Sequence, residues 1–190
     1  AEGYASAYLA EDAPFACDAL TVNPYMGLDT LEPHLQAAEA GGKGVIVLAR
    51  TSNPGAADFQ ARNLDGAPLY ERVVEALAPA IERLKGQNGF SGLMLVTGAT
   101  GPDEARRLRS LAPDALVLVP GYGAQGAGAS DALAGFRRKG NRLTGGVVSA
   151  SRSVIFPPQA QAAGTLEDWR AAIIYAIEAA QADLKTAAGG

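Results

Sequence analysis

At 190 residues, 48% hydrophobic and 19% charged, the chain has the makeup of an ordinary globular protein able to bury one sizeable core. A net charge of −4 and a pI near 5.0 leave no basic stripe to displace counterions from a phosphate backbone; this excludes a general nucleic-acid binder, though not a local site for one small anion. Cys17 is the only cysteine and cannot form an intramolecular disulfide, no apolar run reaches the ~18–20 residues of a membrane span, and no signal-like leader opens the sequence, so a cytoplasmic protein without membrane contact is expected.

Residues 1–9 are small and helix-compatible, with no strand before them. A strand-like run from Phe15 to Val22 stops at Asn23-Pro24-Tyr25-Met26-Gly27, and a helix fits Thr30 to Ala40, closed by Gly41-Gly42. Val45 to Ala49 reads as a second strand leading into the polar turn Arg50-Thr51-Ser52-Asn53-Pro54-Gly55. After a longer connection, Leu69, Val73, Leu77, Ile81 and Leu84 recur at helical spacing. Leu93 to Thr97 is the third strand, and Pro102 opens the helix after it, with Leu108 and Leu111 facing inward.

Leu116 to Val119 is an unbroken apolar run expected to be buried on both faces, and it enters the glycine-rich loop Pro120 to Gly128. A short helix is expected over Asp131 to Lys139 and a fifth strand over Gly146 to Ser149. Thr165 with Asp168 resembles a capping box for a last helix whose Trp169, Ile173, Ile177 and Leu184 form an apolar stripe read as core.

Five strand–helix alternations after one leading helix require parallel strands joined by right-handed crossovers. Strand starts roughly 30 residues apart match the unit of an eight-stranded (β/α) barrel of ~250 residues. The expected α/β fold is an incomplete (β/α)8 TIM barrel, its last five strand–helix units preceded by one helix, in a single domain over residues 1–190. An open doubly wound sheet is the rival.

In such a barrel the chemistry sits where strands end, and phosphate is commonly held by the last two loops. Those loops are here the Pro120–Gly128 segment and the Ser151-Arg152 turn. Gly123 and Gly126 would bring backbone amides close to phosphate oxygens, with Ser151 and Arg152 adding a hydroxyl and a guanidinium. Thr21, Asn23, Ser52 and Asn53 stand just past strand ends, placed either to read a heterocycle or to form turns. His34 reads as a surface residue and Cys17 as a small buried hydrophobe. A lone histidine offers nothing for a His-based triad or a His-rich metal site.

Three segments, Asp18-Ala19-Leu20-Thr21-Val22-Asn23-Pro24-Tyr25-Met26-Gly27, Arg50-Thr51-Ser52-Asn53-Pro54-Gly55-Ala56-Ala57-Asp58-Phe59-Gln60 and Pro120-Gly121-Tyr122-Gly123-Ala124-Gln125-Gly126, together resemble the bacterial type 2 orotidine 5′-phosphate decarboxylases. The resemblance implies a (β/α)8 barrel, usually homodimeric, that converts orotidine 5′-monophosphate to UMP in pyrimidine biosynthesis without metal or cofactor. It places Thr21 and Asn23 at the pyrimidine–ribose end, Ser52 on the pyrimidine ring, Pro120, Gly121 and Gln125 in a loop closing over the substrate, and Arg152 on the 5′-phosphate. It further implies loss of CO2 from C6, leaving a carbanion that a lysine ammonium stabilises and protonates. The family's Asp-x-Lys-x-x-Asp-Ile motif does not occur in these residues, so no catalytic residue is assigned and the chain is expected to be an inactive C-terminal portion. The alternatives are another phosphate-binding barrel, such as a sugar-phosphate isomerase or aldolase, and a non-catalytic phosphate-ligand binding domain.

Overall fold

The computed structural model describes residues 1–189. Helix α1 (Glu2–Leu9) leads to β1 (Ala19–Val22) and, through two 3-10 turns, to α2 (Glu32–Gly41). Strand β2 (Gly44–Arg50) is followed by the one-turn α3 (Ala56–Phe59), a small hairpin of β3 (Asn63–Leu64) and β4 (Ala67–Pro68), and the long α4 (Leu69–Arg83). Next come β5 (Ser91–Thr97), α5 (Pro102–Leu111), β6 (Ala115–Val119) and α6 (Ala129–Ala132). A second hairpin, β7 (Arg137–Lys139) with β8 (Arg142–Thr144), precedes β9 (Gly146–Val148), and α7 (Arg152–Ile155), α8 (Pro158–Gln161) and α9 (Leu166–Ala187) complete the described chain.

Strands β1, β2, β5, β6 and β9 lie side by side in that order, all parallel, with Thr21 opposite Ile46, Val47 opposite Leu95 and Leu118 opposite Val147. Spatial order follows chain order throughout. A doubly wound sheet reverses its strand order at a switch point, and this sheet has none, so successive right-handed crossovers carry their helices over one face, as in a barrel wall. The wall is open, since β1 and β9 each pair on one side only.

The helix-covered face forms the main core. Leu20, Val22, Val45, Val47, Leu93 and Leu95 alternate along their strands and meet Leu35 and Ala38 of α2, Val74, Leu77 and Ile81 of α4, and Leu108 of α5. Each such leucine contributes roughly 1.5–3 kcal/mol by leaving water. The opposite face is less covered: Ile46, Leu48, Met94, Leu116 and Leu118 are half-buried, and Val147 is exposed. Burial of the Leu116–Val119 run on both faces is therefore met on one face only. Five strands do not curve far enough to fill their own concave side.

Three further expectations change. The run from Phe15 becomes strand only at Ala19, because residues 13–16 form a turn that leaves Phe15 exposed. The helix expected over Asp131–Lys139 lasts one turn; Arg137–Lys139 instead pairs antiparallel with Arg142–Thr144 across Gly140-Asn141, with Gly140 at φ +60°, as a two-residue hairpin loop requires. The apolar stripe of the last helix is not core. No described residue of α9 is buried; it packs mainly on α6, α7 and α8, Leu184 of the stripe joins a small cluster with Val117 and Val119, and Trp169 and Ile177 are exposed. One half of the capping box forms: Thr165 Oγ1 accepts from the Asp168 amide at 3.1 Å, while the Asp168 carboxylate accepts from the Thr165 hydroxyl at 2.7 Å.

His34 is also not a surface residue. It is 4% exposed, its Nδ1 lies 3.2 Å from the Thr30 carbonyl, and the Tyr4 ring of α1 sits edge-on at 5.9 Å. Burial disfavours the imidazolium and lowers its pKa below the usual histidine value. Arg109 of α5 plays a clamping role that composition does not reveal. It donates to the carbonyls of Ala115 at 2.6 Å, Gly135 at 2.7 Å and Gly145 at 2.9 Å, tying the helix to the start of β6 and to the chain entering β9. No carboxylate pairs with it among the described residues, and burial, aided by the charge of Arg137, brings its guanidinium down to about 10.

Candidate functional site

The carboxyl ends of β2, β5 and β6, with α7 just past β9, surround a cavity of about 510 Å³ lined by Arg50, Ser52, Asn53, Pro54, Thr100, Ala124, Gln125 and Arg152. Each strand delivers its polar residues in the loop that follows its carboxyl end, which is why four distant stretches of sequence meet here. Ser52 is 8% exposed, and its Oγ has no hydrogen-bond partner among the described residues. Gln125 and Arg152 are exposed on the rim, and the Arg152 guanidinium pairs with no carboxylate among the described residues. Arg50 is mostly buried, donating to the Thr51 carbonyl and lying 3.4 Å from Glu104. One guanidinium is thus neutralised beneath the cavity and the other is free at its mouth.

The glycine-rich loop packs onto the Ser52 turn. Gly121 has φ +101° and is buried, and a Cβ there would stand 2.7 Å from the Ser52 Cβ, so only glycine permits this approach. The Pro120 carbonyl accepts from the Ala99 amide at 2.9 Å, fixing the loop's root to the end of β5. Gly123 and Gly126 behave differently from the sequence expectation. Their amides donate to Ala127 at 3.0 Å and to Gly123 at 2.8 Å, so both are used inside the loop in this conformation. Tyr122 anchors the loop to α9 through a 2.7 Å hydrogen bond from its hydroxyl to Asp183 Oδ2. Burial first, and then that carboxylate, push the Tyr122 hydroxyl up to about 12.

Of the residues expected in a site, Ser52, Gln125 and Arg152 share the cavity, with Pro120 and Gly121 forming the base of its loop. Ser151 is exposed beside Arg152 without lining the cavity. Thr21 is exposed on the uncovered face of β1, and Asn23 caps the following 3-10 turn, its Oδ1 accepting from the Tyr25 amide at 3.0 Å. Asn23 lines a separate, mainly apolar cavity of about 660 Å³ with Tyr25, Phe59, Gln60 and Tyr70. Arg50, Thr100 and Ala124 complete the first cavity without having been singled out; their signal is only their place at the end of β2 or in the loops that follow β5 and β6. Among the described residues no group of three or more His, Cys, Asp or Glu side chains is arranged to hold a metal ion, and no helix is long and apolar enough to cross a membrane.

Comparison with known proteins agrees with this fold. A model of the orotidine 5′-phosphate decarboxylase / HUMPS family matches residues 2–164. An orotidine 5′-phosphate decarboxylase from Haloarcula marismortui is 48% identical over 149 residues, covering 78% of this chain and 49% of the relative. Another, from Rhodopirellula baltica, is 38% identical over 160 residues, covering 82% of this chain and 52% of the relative. Among solved structures, the Leishmania donovani OMP decarboxylase superposes with a TM-score of 0.69 at 30% identity, over 100% of this chain and 63% of its own. The chain spans about half the length of the curated relatives it matches. With the family model covering most of its length, this chain belongs to the orotidine 5′-phosphate decarboxylase / HUMPS family.

Proposed function

We propose that this chain carries the substrate-binding loops of an orotidine 5′-monophosphate decarboxylase and, as these 190 residues, binds the nucleotide without turning it over. The observation that carries the reading is that Ser52, Gln125 and Arg152, far apart in sequence, line one cavity at the strand ends. Ser52 then takes the pyrimidine edge with its unpaired hydroxyl, and Arg152 takes the 5′-phosphate, joined by Ser151 and by Gly123 and Gly126 if the loop rearranges on binding. Gln125, with Pro120 and Gly121, closes the loop over the ligand. Thr21 and Asn23 belong to the ribose side only if the uncovered face of β1 turns toward the ligand in a longer polypeptide.

Phosphate grip far from C6 works by remote binding energy, which favours the closed, reactive state rather than touching the bond that breaks. The decarboxylation itself needs an ammonium beside C6, and no Asp-x-Lys-x-x-Asp-Ile sequence is present here. Lys43 does not substitute: it stands at the opposite end of the sheet, before β2, with its Nζ 3.4 Å from the Ala10 carbonyl. A homodimer at a cytoplasmic location completes the reading; exposed Tyr25, Met26 and Phe59 near the carboxyl ends of β1 and β2 offer apolar surface for a partner.

Calorimetry with UMP and with ribose 5-phosphate tests the reading. Tighter binding of UMP supports it, whereas equal affinities favour a general phosphate-ligand domain. Measurable release of CO2 from orotidine 5′-monophosphate by the purified chain would refute the inactivity.

A further inference from the structure

The β2–β5 ladder shifts register between Leu48 and Arg50, so the regular pairing that fixes β2 is disturbed just before Ser52. Something else must hold the Ser52 turn, and Gln60, immediately after α3, does so. Its Oε1 accepts from the Thr51 amide at 2.9 Å, and its Nε2 donates to Thr51 Oγ1 at 2.9 Å. The amide can only donate, so the orientation of the carboxamide is set by its partner. Thr51 Oγ1 in turn donates to Asn53 Oδ1 at 2.6 Å, which places the residues on both sides of Ser52 in one network.

Gln60 is itself rooted, its carbonyl accepting from the Tyr70 amide in the first turn of α4 at 3.0 Å. Ser52 is confined from the other sides: Thr100 Oγ1 donates to its carbonyl at 3.1 Å, and a Cβ on Gly98 would stand 2.7 Å from its amide nitrogen. With the Ser52 backbone walled in on these sides, Arg50, which donates to the Thr51 carbonyl, and Gln60, which holds the Thr51 amide and hydroxyl, fix the residue that leads into Ser52.

We propose that Gln60 is a positioning residue for base recognition, holding Thr51 so that the Ser52 hydroxyl meets the pyrimidine edge. The proposal rests on the reading of Ser52 as the base contact. Gln60 contributes nothing to the phosphate end, where Arg152 stands.

The test is calorimetry with UMP and ribose 5-phosphate on the unaltered chain, Gln60→Leu, Gln60→Glu, Ser52→Ala and the Ser52→Ala/Gln60→Leu double variant, with thermal unfolding alongside. Gln60→Leu is expected to weaken UMP about tenfold while ribose 5-phosphate stays within about twofold. Gln60→Glu keeps an acceptor for the Thr51 amide and recovers most of the UMP affinity. In the Ser52→Ala background the leucine has no further effect, because the group it positions is gone. Unchanged UMP affinity in Gln60→Leu, or equal loss of both ligands, overturns the proposal. Should that variant fail to fold, Thr51→Val decides, with about threefold loss expected for UMP alone. If the unaltered chain shows no preference for UMP, the underlying reading of Ser52 falls, and this proposal with it.

Discussion

On the helix-covered face of the sheet, Val45, Val47, Leu93 and Leu95 are at most 1% exposed beneath α2, α4 and α5. At the other end of the chain, α9 has an apolar stripe of the same kind, yet none of its described residues is buried and Ile174 and Tyr175 are exposed. An amphipathic pattern states which side of a helix prefers to leave water, and only the neighbours decide whether it does. The candidate site lies along the seam between the two regions. Ser52 is fixed by the well-packed side, whereas Arg152 stands on the thinly packed one.

The largest effects that follow from this contrast are in the core. Leu93→Ala should lower unfolding stability by ~2–5 kcal/mol, whereas Ile177→Ala should change it by no more than ~0.5 kcal/mol. Chemical denaturation of both variants measures the gap, and comparable losses would mean that α9 is packed as tightly as the sheet. Arg109→Met comes next, at ~2–3 kcal/mol, because the carbonyls of Ala112, Pro113, Ala115, Gly135 and Gly145 lose the guanidinium at once. Hydrogen exchange should then rise first at the junction of α5 with the β7–β8 hairpin. Tyr122→Phe, which frees the loop from α9, should cost ~1 kcal/mol and raise exchange across the loop from Gly121 to Ala127.

The smallest effect is one of pH. Because burial lowers the folded-state pKa of His34, its contribution to stability is present above the unfolded value of about 6.5 and is lost as pH falls below it. Between pH 7.5 and 5.5 the melting temperature of the unaltered chain should therefore decline more than that of His34→Gln. Parallel declines would show that the α1–α2 contact does not depend on a neutral imidazole.

The alternation of strand and helix was legible because each apolar run is bounded by glycine, proline or a polar turn, and its period changes at the boundary. The two small hairpins were not, although Asp65-Gly66 and Gly140-Asn141 are favourable turn pairs. Strands of two or three residues are too short for alternation to stand out. Burial of His34 depends on where α1 comes to rest, which local sequence does not encode. In the site, Ser52 and Arg152 were readable from their positions after strand ends, and Gln125 from the resemblance of its loop to the decarboxylases. Gln60 and Thr100 act through backbone groups of neighbouring segments, and the amides of Gly123 and Gly126 are occupied within their own loop, contacts that depend on the fold and not on local sequence.

The most direct test of the shared cavity is titration calorimetry of UMP and uridine with the unaltered chain and with Arg152→Ala. The unaltered chain should bind UMP about tenfold or more tighter than uridine, and Arg152→Ala should erase that difference while leaving uridine affinity in place. An undiminished preference for UMP in Arg152→Ala would show that the phosphate is held elsewhere and would contradict the account.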